Sequence, residues 1–159
     1  MKLHYQKILI GLLIGYINCT QLNAQAHKLN WLSFNQLEDS LAVKPKKVLI
    51  HFYADWCSLC NKMERKTYKD TTVINKLKKE YYVVKMNVES TKKITFGGKV
   101  YENKNFKKVN AIHEIPLLMA SRKNKPFSLP VTVILDDTFT ATARYFQYLN
   151  AKQLLKTIQ

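Results

Sequence analysis

Apolar and polar residues change rhythm several times along the chain, and each change marks an element. From Val48 to Ala54 every position but one is apolar, the pattern of a central strand covered on both faces. His51 is the exception. Tyr81–Val88 and Val131–Leu135 carry the same signature and predict two more buried strands. Around them the spacing turns helical. Ser33-Phe34-Asn35-Gln36 has the capping-box spacing, in which hydroxyl and amide satisfy each other's free backbone donors, so a helix is predicted from about 34 to 42, with Pro45 ending that region. A helix over 58–68 follows the first strand, with Leu59, Met63 and then Lys66 or Thr67 along one side. Asp70 caps a further helical stretch in which Val73, Ile74 and Leu77 fall at helical spacing.

Between the second and third strands lies an insertion, about 90–128. Within it Ile94–Tyr101 reads as a hairpin, because Gly97-Gly98 supplies the positive φ of a two-residue turn. A helix is expected over 109–121, kinked or started late by Pro116. Asp136-Asp137 turns the chain into a strand near 140–147, and Asn150 caps a last helix through Ile158. Strands alternating with helices and closed by a hairpin and a helix indicate a mixed α/β sandwich around one central sheet.

The first 26 residues follow other rules. Lys2 and Lys7 precede the ten-residue apolar run 8–17, and Ala24-Gln25-Ala26 offers the small side chains a signal peptidase accepts. The run is too short to span a bilayer. We therefore expect a signal peptide over 1–26, cleaved after Ala26, and a single domain over 27–159. Lipoprotein processing at Cys19 is the rival, and Asn18 fits it poorly. Cleavage after Ala26 would remove Cys19 and lower the formal charge from +15 to +13, leaving Cys57 and Cys60 as the remaining cysteines.

Charge changes the picture less than its size suggests. Lys supplies 23 of the 26 basic residues and Arg 3, and the lysines are spread along the chain. A nucleic-acid reader would concentrate them and favour Arg forks, so no nucleic-acid partner is expected. Steering of acidic partners remains open.

The informative chemistry is Trp56-Cys57-Ser58-Leu59-Cys60, where the first strand gives way to a helix. Two residues between cysteines on a first helical turn bring the sulfurs within disulfide reach. The helix N-terminus presents unpaired N–H groups to the first sulfur and favours its thiolate, which makes Cys57 the expected nucleophile. Cys60, one turn further in, would resolve the mixed disulfide. Three plainer readings compete. A zinc site needs further ligands, and His113 is isolated. A purely structural disulfide over so short a loop restrains little chain entropy. Copper held by the thiols with Met63 or Met86 is set against the commoner use of Met as core filler. We expect no metal and no cofactor.

The segment Phe52-Tyr53-Ala54-Asp55-Trp56-Cys57-Ser58-Leu59-Cys60 resembles the active-site segment of the thioredoxin superfamily. Val84-Lys85-Met86-Asn87-Val88 is similar to that family's central strand with a buried Lys, and Leu129-Pro130-Val131-Thr132 to its cis-proline loop. Lys62-Met63-Glu64, Thr67-Tyr68 and Val73 resemble most the secreted branch that includes the C-terminal domain of the thiol:disulfide interchange reductase. The resemblance covers about 31–159. It implies a three-layer sandwich, a central mixed sheet flanked by helices, with the hairpin and helix inserted. It also implies that Pro130 is cis and lies against the dithiol. The Leu129 backbone would pair with an extended substrate, and Tyr53, Trp56 and Leu129 would form an apolar rim around Cys57.

His51 departs from the pattern, since thioredoxins usually place a buried acid there. Either the imidazole serves as the base near neutral pH, or it is a hydrogen-bonded core histidine and protons travel through water or Lys85. We take proton transfer as the expectation. Ser58-Leu59 offers no cation of the kind strong oxidants of the superfamily carry between their cysteines. The expected function is therefore a periplasmic or secreted thiol-disulfide oxidoreductase that reduces protein or peptide disulfides and is recharged by a separate membrane electron donor. Oxidase or isomerase activity is the alternative, and a non-catalytic peptide-binding module is the reading from another class.

Overall fold

A computed structural model describes residues 28–159. The leader over 1–26, its cleavage after Ala26 and the rival processing at Cys19 lie outside the described residues. In chain order these form β1 (Trp31–Leu32), α1 (Phe34–Val43), β2 (Lys47–Tyr53), α2 (Ser58–Arg65), a 3-10 turn (Thr67–Lys69), α3 (Thr71–Glu80), β3 (Tyr81–Asn87), β4 (Ile94–Phe96), β5 (Lys99–Tyr101), α4 (Glu114–Ala120), β6 (Val131–Leu135), β7 (Ala141–Tyr145) and α5 (Ala151–Thr157).

The three apolar runs become neighbours at the middle of a five-stranded sheet of order β1-β3-β2-β6-β7. β2 runs parallel to β3 and antiparallel to β6, so His51 sits opposite Lys85 on one side and Thr132 on the other. Alternation along β2 explains its nearly unbroken apolar sequence. Val48, Ile50 and Phe52 pack with Phe34 and Leu37 of α1 and with Ile115 and Ala120 of α4. Leu49 packs on the opposite face with Met63 of α2, Tyr68, the apolar side of α3, and Leu154 of α5. Each such side chain contributes about 1.5–3 kcal/mol by leaving water, and a polar residue here gains none of it. The result is a three-layer α/β sandwich with a mixed central sheet.

Several boundaries differ from the sequence reading, each for a physical reason. The helix expected to reach 68 ends at Arg65, and the chain tightens into the 3-10 turn because the buried Thr67 hydroxyl donates to the Leu149 carbonyl at 2.7 Å. The buried side of α2 is Cys60 and Met63, continued by Thr67, while Leu59 is 46% exposed. The helix expected over 109–121 begins only at Glu114. His113 is its N-cap, and Pro116 falls in the first turn, where its missing N–H has no partner to lose. The last strand is shorter than expected, Ala141–Tyr145. The two-residue β1 has too little sequence to leave a periodic signal.

The insertion is docked on the domain. Gly97 and Gly98 have φ of 59° and 71°, as the turn between β4 and β5 requires. Phe96 meets Phe34 edge-on at 5.4 Å and Phe139 at 5.3 Å. Glu38 of α1 accepts from the Gly97 N–H at 2.9 Å.

Candidate active site

The buried β2 strand delivers the chain to a short turn, Ala54–Trp56, closed by the Cys57 N–H donating to the Ala54 carbonyl at 3.0 Å. Cys57 is then the N-cap of α2. Its sulfur accepts the Cys60 N–H at 3.1 Å, one of the donors the helix start leaves free. Cys57 and Cys60 are joined in a disulfide with Cα atoms 5.2 Å apart. Cys57 keeps 5% exposure and Cys60 none, so Cys57 is the more accessible residue of the pair.

The Leu129–Pro130 peptide, just before β6, is cis. Leu129 packs against the apolar cluster that holds both cysteines. Trp56, 65% exposed, and Leu129 line one groove of about 160 Å³ together with Val88, Glu89, Asn110, Ile112, Phe127 and Ser128. The Trp56 indole N–H donates to Glu89 Oε1 at 3.1 Å, which fixes the ring as one wall. Tyr53 is placed differently. Its ring stacks at 6.3 Å on His51 and lies beneath Lys85 Nζ at 5.6 Å.

His51 belongs to the opposite face, under α2 and its following turn. Trp31, Tyr53 and Tyr68 surround the ring at 5.0–6.5 Å between centroids. It is fully buried, and neither ring nitrogen finds a hydrogen-bond partner among the described residues. Burial first, and then the Lys85 charge, push its pKa down to about 3, so the imidazole is neutral near pH 7. The hydroxyls of Tyr68 and Thr132 are also buried without a bond of good geometry, though Thr132 is near enough to oppose the rise that burial imposes on the Tyr68 phenol.

Lys85 is about one-third exposed and meets Glu64 of α2 at 3.4 Å, between the rings of Trp31 and Tyr53. Burial, then Asp55 and Glu64, raise the Tyr53 pKa. Glu64 is a site residue the sequence reading missed. Its position four after Cys60 puts both on one side of a helix and could have revealed it. The groove residues of the insertion carried no such signal. Met63 and Met86 fill the core on opposite faces of the sheet.

A fold of this topology, with a Cys-x-x-Cys at a helix start and a cis-proline before the third central strand, defines a thioredoxin-like domain, and the chain belongs to that family: its model matches residues 34–159. Among curated proteins, the thiol:disulfide interchange protein DsbD of two Campylobacter jejuni strains is 27% identical over 75 residues. That match covers 45% of this chain and 13% of the relative, so the chain spans a small part of the relative's length. Among solved structures, a thioredoxin from Thermus thermophilus aligns with TM-score 0.55 at 18% identity over 82% of this chain and 85% of that one. A DsbH oxidoreductase aligns with TM-score 0.53 at 18% identity over 82% of each. Both show the fold. Among the described residues no helix is long and apolar enough to cross a membrane.

Proposed function

We propose that the protein is a thiol-disulfide oxidoreductase of the cell envelope that reduces disulfides in protein or peptide substrates. The observation that carries this reading is the Cys57–Cys60 disulfide, its first sulfur capping α2 and its neighbour Trp56 sharing a groove with Leu129 before cis Pro130. In the reduced protein the Cys57 thiolate attacks a substrate disulfide. A mixed disulfide forms and one substrate thiolate leaves. The Cys60 thiolate then attacks the Cys57 sulfur, releasing the second substrate thiolate and restoring the internal disulfide. Two electrons pass from protein to substrate, and a separate dithiol donor must return them. The absence of a cation at Ser58-Leu59 supports the reducing direction over oxidase or isomerase activity, and the sequence of residues 1–26 supports export.

Of the two roles open to His51, its depressed pKa supports a neutral core imidazole. Proton transfer at Cys60 is assigned instead to Lys85 with Glu64, whose Cα lies one turn along the same helix side. Insulin reduction driven by a small dithiol tests the main reading. The wild type is expected to accelerate it and Cys57→Ser to abolish the acceleration, while equal behaviour would leave the peptide-binding module. Trapping on Cys60→Ala should yield mixed disulfides through Cys57.

A further inference from the structure

Half of the residues lining the groove next to the dithiol turn come from the insertion, and exposed lysines flank it on two turns. Asn110, Ile112 and Phe127 come from that segment, facing Trp56 and Leu129. At about 160 Å³ it is too small for a drug-sized molecule and suits one or two side chains. Two held turns flank it. The first, 103–111, is pinned by buried Asn103, whose amide donates to the Ala111 carbonyl at 3.0 Å, and it carries exposed Lys108. The second carries exposed Lys123 and Lys125. Arg122 anchors it by donating to Ser128 Oγ at 2.8 Å and stacking on Phe146 at 4.0 Å. Among the described residues no carboxylate comes within ion-pair distance of Lys108, Lys123 or Lys125. Glu89, the acid in the groove wall, is engaged by the Trp56 indole.

We propose that this groove selects acidic, extended segments of partner polypeptides. An apolar side chain near the partner's cysteine seats among Ile112, Phe127 and Leu129, and flanking carboxylates meet Lys108, Lys123 and Lys125. The inference rests on the oxidoreductase reading and names its substrate class. Lysines on held turns draw such a segment in at little ordering cost, while the apolar contact sets its register against Cys57.

The test uses peptides that each carry one cysteine linked by a disulfide to a reporter thiol and that differ only in acidic or basic flanks. Uncharged hydroxyethyl disulfide serves as the small substrate. Acidic peptides should be reduced with kcat/KM about 10-fold above basic ones at low salt, the gap closing as about 0.3 M NaCl shortens the Debye length. The double variant Lys108→Glu with Lys125→Glu should reverse the order. Lys152→Glu with Lys156→Glu, an equal charge change on α5, should keep it. Where the peptides also carry a Leu beside the cysteine, changing that Leu to Ser in the acidic peptide should raise KM for the wild type and not for Phe127→Ala. Equal rates on acidic and basic peptides, with hydroxyethyl disulfide still reduced, would overturn the inference alone, as would equal effects of the two double variants. A wild type inert on hydroxyethyl disulfide would refute the oxidoreductase reading instead.

Discussion

His51 concentrates a conflict between chemistry and position. An imidazole in the middle of the central strand, shielded by three aromatic rings and without a hydrogen bond, is held neutral by burial and by Lys85. Its folded pKa of about 3 lies below the unfolded value near 6.5, so below pH 6.5 the unfolded chain binds the proton more readily. Stability is therefore full above pH 6.5 and falls as pH drops toward 3. At roughly 1.4 kcal/mol per pH unit, His51 alone removes about 2 kcal/mol between pH 7 and 5. Urea titrations at those two values should show a smaller loss for His51→Phe than for the wild type. An equal loss in both would mean the ring is not the titrating group. The variants also separate the proton-transfer assignments: turnover of His51→Phe should keep the wild-type pH profile, and Glu64→Gln should shift it. The reverse pattern would return the base role to His51.

At the scale of elements, the insertion is secured by one histidine used three ways. The His113 backbone N–H donates to the Val88 carbonyl at 2.8 Å, Nδ1 accepts the Ile115 N–H, and Nε2 lies 3.1 Å from the Lys92 carbonyl. These bonds fix one tautomer, with the proton on Nε2, and burial lowers the pKa so that the acceptor stays free near pH 7. His113→Ala strands the Ile115 donor at the start of α4 and should cost about 1–3 kcal/mol. The loss should be local. Hydrogen exchange should speed up in 88–120 and spare β2, and His113→Asn should recover part of it through its own cap. Uniform acceleration across the sheet would refute a local role. The histidine looked isolated in sequence because its partners are backbone groups. The same limit explains what else was hidden. β2, β3 and β6 were legible because burial on two faces leaves an unbroken apolar run, and Cys57, Cys60 and Pro130 because each sits in a compact local motif. The groove joins residues near 56, 88, 110 and 128, which share no local pattern.

At the scale of the whole molecule, most of the acids among the described residues are committed to local structure, while basic side chains are in excess. Asp70 caps α3, Asp136 accepts from the Thr138 and Thr140 N–H groups, Glu38 holds the hairpin turn, and Glu89 holds Trp56. Four further glutamates pair with Lys76, Lys85, Lys93 and Lys104. Lysines nevertheless outnumber the acids among the described residues, and their charges repel one another around a small domain. Compact packing brings these charges closer than the unfolded chain does, so the repulsion weighs on the folded state. Screening should relieve it. Raising NaCl from about 0.02 to 0.3 M shortens the Debye length to below the spacing of most surface charges, and a relief of about 1 kcal/mol would raise Tm by roughly 3–6 °C. Exposed ion pairs such as Lys76–Glu80 lose a little over the same range, but each is worth only a few tenths of a kcal/mol. The same salt should weaken the preference for acidic peptides. One charge distribution thus predicts opposite responses, stability rising and acidic selectivity falling over one titration. A Tm that is flat or falls with NaCl would show that the lysines are spaced widely enough not to feel one another, and would leave the flanks of the groove to account for selectivity alone.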